Sequence, residues 1–134
     1  MHLIIHTDGG SLNNPGPAAI GFLIHEGEKC LYKHGESIGF ATNNVAEYTA
    51  LIRAFSYIIG CFKEQVKQIH VIADSELMIR QINGIYKVKH PDIKPLHMQV
   101  KMLEMQLGVP ISYTHVLREK NAEADALVKK ALGR

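Results

Sequence analysis

Hydrophobic and polar positions change their period along the chain, and the changes divide it into elements. Short apolar or alternating runs bounded by Gly, Pro and Asn predict strands over His2–Thr7, Ala18–Ile24 and Cys30–Phe40. The link "EGEK" (Glu26–Lys29) is short enough for a hairpin, so the three strands are expected to form an antiparallel meander. The period then lengthens. In "NNVAEYTALIRAFSYIIGCF", Val45, Tyr48, Leu51, Ile52, Phe55, Ile58, Ile59 and Phe62 recur at helical spacing, which predicts a long amphipathic helix. "QIHVIAD" (Gln68–Asp74) reads as a buried strand, and "SELMIRQINGIY" as a helix ended by Gly84. A helix over Pro95–Leu107, a strand over Pro110–Leu117 and a last helix from Asn121 to Leu132 complete the order β-β-β-α-β-α-α-β-α. That order describes a mixed sheet with helices packed on it.

The connections place the acids. The first and third strands of a meander run the same way, so the long helix starts at the edge where the first strand ends. A helical crossover returns the chain to a parallel strand, so "QIHVIAD" is expected to end at that same edge. Asp8 and Asp74 then stand at strand ends, and Glu47 and Asp125 in the opening turns of two helices. All four are expected to face one crevice outside the carboxyl ends of the strands, where ligands bind in open α/β sheets. Each acid also has a local explanation. Asp8 could serve a turn, Glu47 a capping box with Asn44, Asp74 the N-cap of "SELMIRQ", and Asp125 an i,i+4 pair with Lys129.

Four acids converging on one spot need a counter-charge. Like charges about 4 Å apart repel by on the order of 1 kcal/mol in water and about 4 at an effective dielectric of 20. Oxygen ligands without Cys or paired His favour Mg²⁺ or Mn²⁺ over zinc. Two such ions about 3.5–4 Å apart can activate water on one side of a phosphodiester and stabilise the leaving oxygen on the other. No GxSxG, HExxH or P-loop competes with this reading. The dispersed histidines, His6, His25, His34 and His70 among them, read as ordinary strand residues rather than ligands.

Composition adds bounds. The chain has 134 residues, expected to form a single domain over 1–134, with 46% hydrophobic residues and a formal net charge of +2. Mean hydropathy is near zero. Apolar runs fall short of a membrane span, and "MHLIIHTD" carries no basic leader, so a cytoplasmic protein is expected. Cys30 and Cys61 lack CxxC spacing and are expected to be reduced. The net charge alone does not establish a nucleic-acid partner, though Lys87, Lys89 and Lys94 gather beside Tyr86, either as a solvated face or as a binding one.

"TDGGSLNNPGPAAIGFLI", "TNNVAEYTALI", "IADSELMIRQING" and "REKNAEADALVKKAL" resemble, in order and spacing, the four signature segments of type 1 ribonuclease H, over about residues 3 to 132. The resemblance implies a ribonuclease H-like α/β fold: a five-stranded mixed sheet in the order 3-2-1-4-5 with helices on both faces. It implies an endoribonuclease that hydrolyses the RNA strand of RNA·DNA hybrids, leaving 5′-phosphate and 3′-hydroxyl ends. Two Mg²⁺ (or Mn²⁺) ions are held by Asp8, Glu47, Asp74 and Asp125, with no membrane or obligatory protein partner. It further implies that main chain at Gly10 and Ser11 and the Asn14 side chain approach 2′-hydroxyls, the group that distinguishes RNA from DNA. Asn43 and Asn44 would contact the minor groove, with helix capping as their alternative role.

Three departures from the family pattern follow. Glu76 stands where many relatives have Gln, which alters a substrate contact or weakens binding through negative charge. The His-bearing loop of some relatives is shortened to "LREKN", leaving Arg118 for leaving-group stabilisation or product release, unless it anchors phosphate or is simply exposed. The basic handle helix of some bacterial members is missing between Tyr86 and Pro95, and Lys87 and Lys89 are expected to replace it in part. The alternatives are a weak or inactive hybrid- or RNA-binding module of the same fold, and a nuclease that also cuts double-stranded RNA.

Overall fold

The computed structural model describes residues 1–134. Its strands are β1 (His2–Ser11), β2 (Gly16–Glu26), β3 (Lys29–Ala41), β4 (Gln68–Ala73) and β5 (Ile111–His115). Its helices are α1 (Asn43–Phe62), α2 (Glu76–Ile82), α3 (Lys94–Leu107) and α4 (Ala122–Ala131), with single 3₁₀ turns at Lys63–Gln65 and Arg118–Asn121. The sheet order is β3-β2-β1-β4-β5. The first three strands pair antiparallel, and β1–β4 and β4–β5 pair parallel. Every element expected from the periodicity is present, in the expected topology.

One boundary is corrected. β1 does not end before Asp8: it continues through Gly9, Gly10 and Ser11, paired with Ile20, Ala19 and Ala18 of β2. The reason is packing. A Cβ on Gly9 would lie 2.3 Å from the carbonyl carbon of Ala46 in α1. Glycine stands in the strand because the helix backbone crosses there, and only Leu12–Pro15 are left for the loop. The ladder between β1 and β4, by contrast, stops at Thr7 and Ala73. Asp8 is thus still held by β2 but has parted from β4, and a crevice opens at that fork.

The long helix is positioned by its cap and its apolar face. Thr42, neither Asn43 nor Asn44, is the N-cap: its Oγ1 accepts from the Val45 N–H at 3.2 Å. Tyr48, Leu51, Ile52, Phe55 and Ile58 are buried against Leu3, Ile5, Phe22, Ile24, Ile69 and Val71, and Val45, Ile59 and Phe62 pack at the margin. α1 is long and apolar enough to cross a bilayer, but here it is the central helix of the core. On the opposite face α4 lies against the sheet where a Cβ on Gly21 would come within 2.8 Å of the Ala124 carbonyl oxygen. Helices therefore cover both faces, as expected, and both starts fall near the fork.

Candidate active site

The three carboxylates at the fork come from three elements. Asp8 is in β1, Glu47 is in the second turn of α1, and Asp74 follows β4 directly. Each offers an oxygen, and these oxygens lie within 4.8 Å of one another. Asp8 and Glu47 are 4% and 8% exposed. Few donors reach them. Asp8 Oδ1 accepts from the Gly9 N–H at 2.9 Å, while Glu47 Oε1 and Asp74 Oδ2 are buried without a hydrogen bond. Burial, reinforced by the Asp74 carboxylate beside it, pushes the Asp8 carboxyl up to about 8. Burial and the charges of Asp8 and Asp74 hold Glu47 well above its ordinary range, against a smaller opposing pull from Arg118.

Such a group is electrostatically incomplete: three carboxylates, with acceptors in excess, meet one side-chain cation, Arg118, at the edge of Asp74. The donor set is oxygen alone, which suits a hard divalent ion. The residues present therefore fit the metal that the sequence implies.

The local explanations for the acids fare unevenly. Ser75, not Asp74, caps α2, its Oγ accepting from the Met78 N–H at 3.3 Å. Glu47 is too far into α1 for a capping box that starts at Thr42. Asp125 does pair with Lys129, at 3.0 Å. It lines the same cavity of about 330 Å³ as Asp8 and Glu47, and its charge raises Asp8, but it stands outside the tight group of three. Arg118 lines that cavity too, 77% exposed, with Nε 3.7 Å from Asp74 Oδ2: an ion pair without a hydrogen bond.

The expected substrate-contact residues are linked to one another. Asn43 Oδ1 accepts from both the Ser11 N–H, at 2.9 Å, and the Ser11 hydroxyl, at 3.2 Å. Asn14 Oδ1 accepts from the Asn43 N–H at 3.0 Å. The Ser11 main-chain N–H is therefore satisfied by Asn43 within the protein. Gly10, Ser11 and Asn43 line the carboxylate cavity, whereas Asn14 and Asn44 line a neighbouring hollow with His90 and Asp92. Glu76 is paired with Arg80 at 3.2 Å, so its negative charge is partly answered within α2. Lys87 and Lys89 are exposed on a segment of turns between α2 and α3, where no extra helix occurs.

Asn121 escaped the sequence reading except as a helix boundary. It is 1% exposed, and its Nδ2 donates to the Thr7 carbonyl at 2.8 Å, pinning the start of α4 to the residue before Asp8. Its position four residues before Asp125 in "REKNAEAD" was the available signal.

A family model described as reverse transcriptase-like matches residues 6–131. The ribonuclease HI of Halobacterium salinarum is 38% identical over 129 residues, covering 95% of this chain and 62% of that protein. A bifunctional protein of Mycobacterium tuberculosis is 38% identical over 134 residues, covering 98% of this chain and 36% of that one. The chain thus spans about a third of one curated relative and under two thirds of the other. Among solved structures, LC11-RNase H1, isolated from compost and crystallised with an RNA/DNA hybrid, superposes with a TM-score of 0.93 at 41% identity, over 98% of this chain and 96% of its own. On that identity, that coverage and the shared sheet order, this chain belongs to the type 1 ribonuclease H family.

Proposed function

We propose that the chain is a metal-dependent endoribonuclease that cuts the RNA strand of RNA·DNA hybrids and leaves 5′-phosphate and 3′-hydroxyl ends. The observation that carries this reading is the cluster of Asp8, Glu47 and Asp74, largely buried, within 4.8 Å of one another and answered by only one side-chain cation, Arg118 at its edge, opening beside a rim of Ser11 and Asn43. The hybrid bound to LC11-RNase H1 supports the substrate class.

Asp8, Glu47 and Asp74, with Asp125 at the margin, would hold two Mg²⁺ or Mn²⁺ ions. Bound there, the ions supply activated water and charge neutralisation at the scissile phosphate. The protein's own part is placement. The linked Asn14, Asn43 and Ser11 fix a rigid edge against the RNA strand, with Gly10 leaving room for the backbone and Asn44 facing the adjoining hollow. Arg118, exposed at the cavity edge and tethered only by its ion pair, is free to meet the leaving group or the product phosphate.

The test is cleavage of labelled RNA·DNA hybrid, duplex RNA and duplex DNA in Mg²⁺, Mn²⁺ or EDTA, beside Asp8→Asn. RNA cuts confined to the hybrid, metal-dependent and lost in the variant while binding persists, support the reading. Binding without cuts marks a binding module, and equal cutting of duplex RNA overturns hybrid specificity.

A further inference from the structure

Two residues before Asp8, on the same α4-facing side of β1, lies a second cluster that the proposed reaction does not use. His6 and His25 lie on neighbouring antiparallel strands, with Ile4 opposite His25 and His6 opposite Leu23, so both imidazoles stand on one face at a diagonal. The register between β2 and β3 shifts between Ile24 and His25, an irregularity of the kind that re-aims a side chain. The two rings meet edge to face with centroids 6.1 Å apart. Between them and the start of α4 is a cavity of about 180 Å³, lined also by Glu119, Lys120 and Glu123. His25 Nδ1 is buried and has no hydrogen-bond partner.

We propose that this cavity binds one first-row transition-metal ion of the zinc type, through His6, His25 and a carboxylate from Glu123 or Glu119. An imidazole nitrogen bonds zinc at about 2.0–2.1 Å, so two rings sharing a tetrahedral ion have centroids about 5.2 Å apart, and only a linear pair would reach about 6.4 Å. The observed 6.1 Å must therefore close by about 1 Å through rotation of the two side chains, and His25 Nδ1 has no hydrogen bond that such a rotation would break. Both glutamates are exposed and can rotate inward, and exposed Lys120 can rotate out to solvent. An anion fits less well, because two carboxylates flank the opening. Imidazole with carboxylate also differs in kind from the all-oxygen fork, so the two sites select different ions. This inference stands independently of the proposed nuclease reaction.

The experiment is calorimetric titration of Zn²⁺ into the intact chain with Mg²⁺ saturating, repeated on His25→Gln, His6→Gln and Asp8→Asn. Binding of one equivalent, weakened at least tenfold by either histidine change and unaffected by Asp8→Asn, supports the site. No binding overturns it, as does binding lost in Asp8→Asn or untouched by both histidine changes. Co²⁺ added to the unsubstituted protein provides a check that needs no variant: His6 and His25 ring signals broaden first in the NMR spectrum if the site exists, and the proposal falls if they do not.

Discussion

Asp8 accepts one hydrogen bond, from the Gly9 N–H, and otherwise faces carboxylates. Its carboxyl therefore titrates near 8 in the metal-free fold against about 3.9 in the unfolded chain. Between those values the native state binds more protons, so stability is highest below the unfolded value and is lost as pH rises through the folded one. The lowered titration of His6 acts in the opposite direction but is common to both proteins compared. In EDTA, the melting temperature of the unsubstituted protein is expected to fall from pH 5 to pH 8 more steeply than that of Asp8→Asn, by about 3 °C or more. Parallel curves would show that neither burial nor its neighbours hold the Asp8 carboxyl above its ordinary range. Asp74→Asn is likewise expected to raise the metal-free melting temperature, by relieving repulsion with Asp8 and Glu47; a lower value would count against close packing of the three. Asn121 acts differently, since its loss leaves the Thr7 carbonyl buried without its donor. Asn121→Ala is expected to cost about 1–3 kcal/mol in urea unfolding. Its kcat is expected to fall while hybrid Kd is kept, because α4 loses its tie to β1.

At the scale of elements, the contact between β1 and α1 is the tightest in the site. Gly9 leaves no room for a methyl group against Ala46, and Glu47 follows Ala46 directly. Gly9→Ala must push α1 away, which is expected to cost about 3 kcal/mol or more on denaturation and to move Glu47 out of the triad. Measured Mg²⁺ affinity should then drop with stability, and retention of both would refute the contact. This contact also shows what the sequence could tell. Periodicity located every helix and strand, because apolar spacing depends only on local geometry. "GGS" read as loop, because the partner that makes glycine necessary lies nearly forty residues away. The caps differ for a similar reason: Thr42 caps α1 two residues before Asn44, and Ser75 caps α2 one residue after Asp74. Asp8, Glu47 and Asp74 were legible because element ends and topology suffice to gather them, with Asp125 brought only to the same cavity, whereas the Asn14–Asn43–Ser11 linkage and the Asn121 tie depend on three-dimensional contacts that no spacing encodes.

Over the whole molecule, three hollows adjoin. The carboxylate cavity includes Ser11 and Asn43; the next holds Asn14, Asn44 and His90; the third, an open groove of about 690 Å³, is lined by Tyr86, Lys87, Lys94, His97, Met98 and Lys101. Neighbouring residues join each to the next, so a double-stranded substrate cut at the fork would extend along the lysine-bearing turns. A formal net charge of +2 supplies little general attraction, so binding of the second strand must rest on these local charges. Lys87 and Lys89 are solvated in the free protein and make no ion pair that must be broken first. Each phosphate neutralised contributes about 0.9 to the slope of log affinity against log salt on duplex nucleic acid. The double change Lys87→Ala with Lys89→Ala is therefore expected to reduce that slope by about 2 for a hybrid. Affinity at low salt should fall, with kcat at saturating hybrid unchanged, because neither lysine lines the carboxylate cavity. An unaltered slope, measured by fluorescence anisotropy across a salt series, would mean that these lysines are only a solvated face and that the hybrid leaves the fork in another direction.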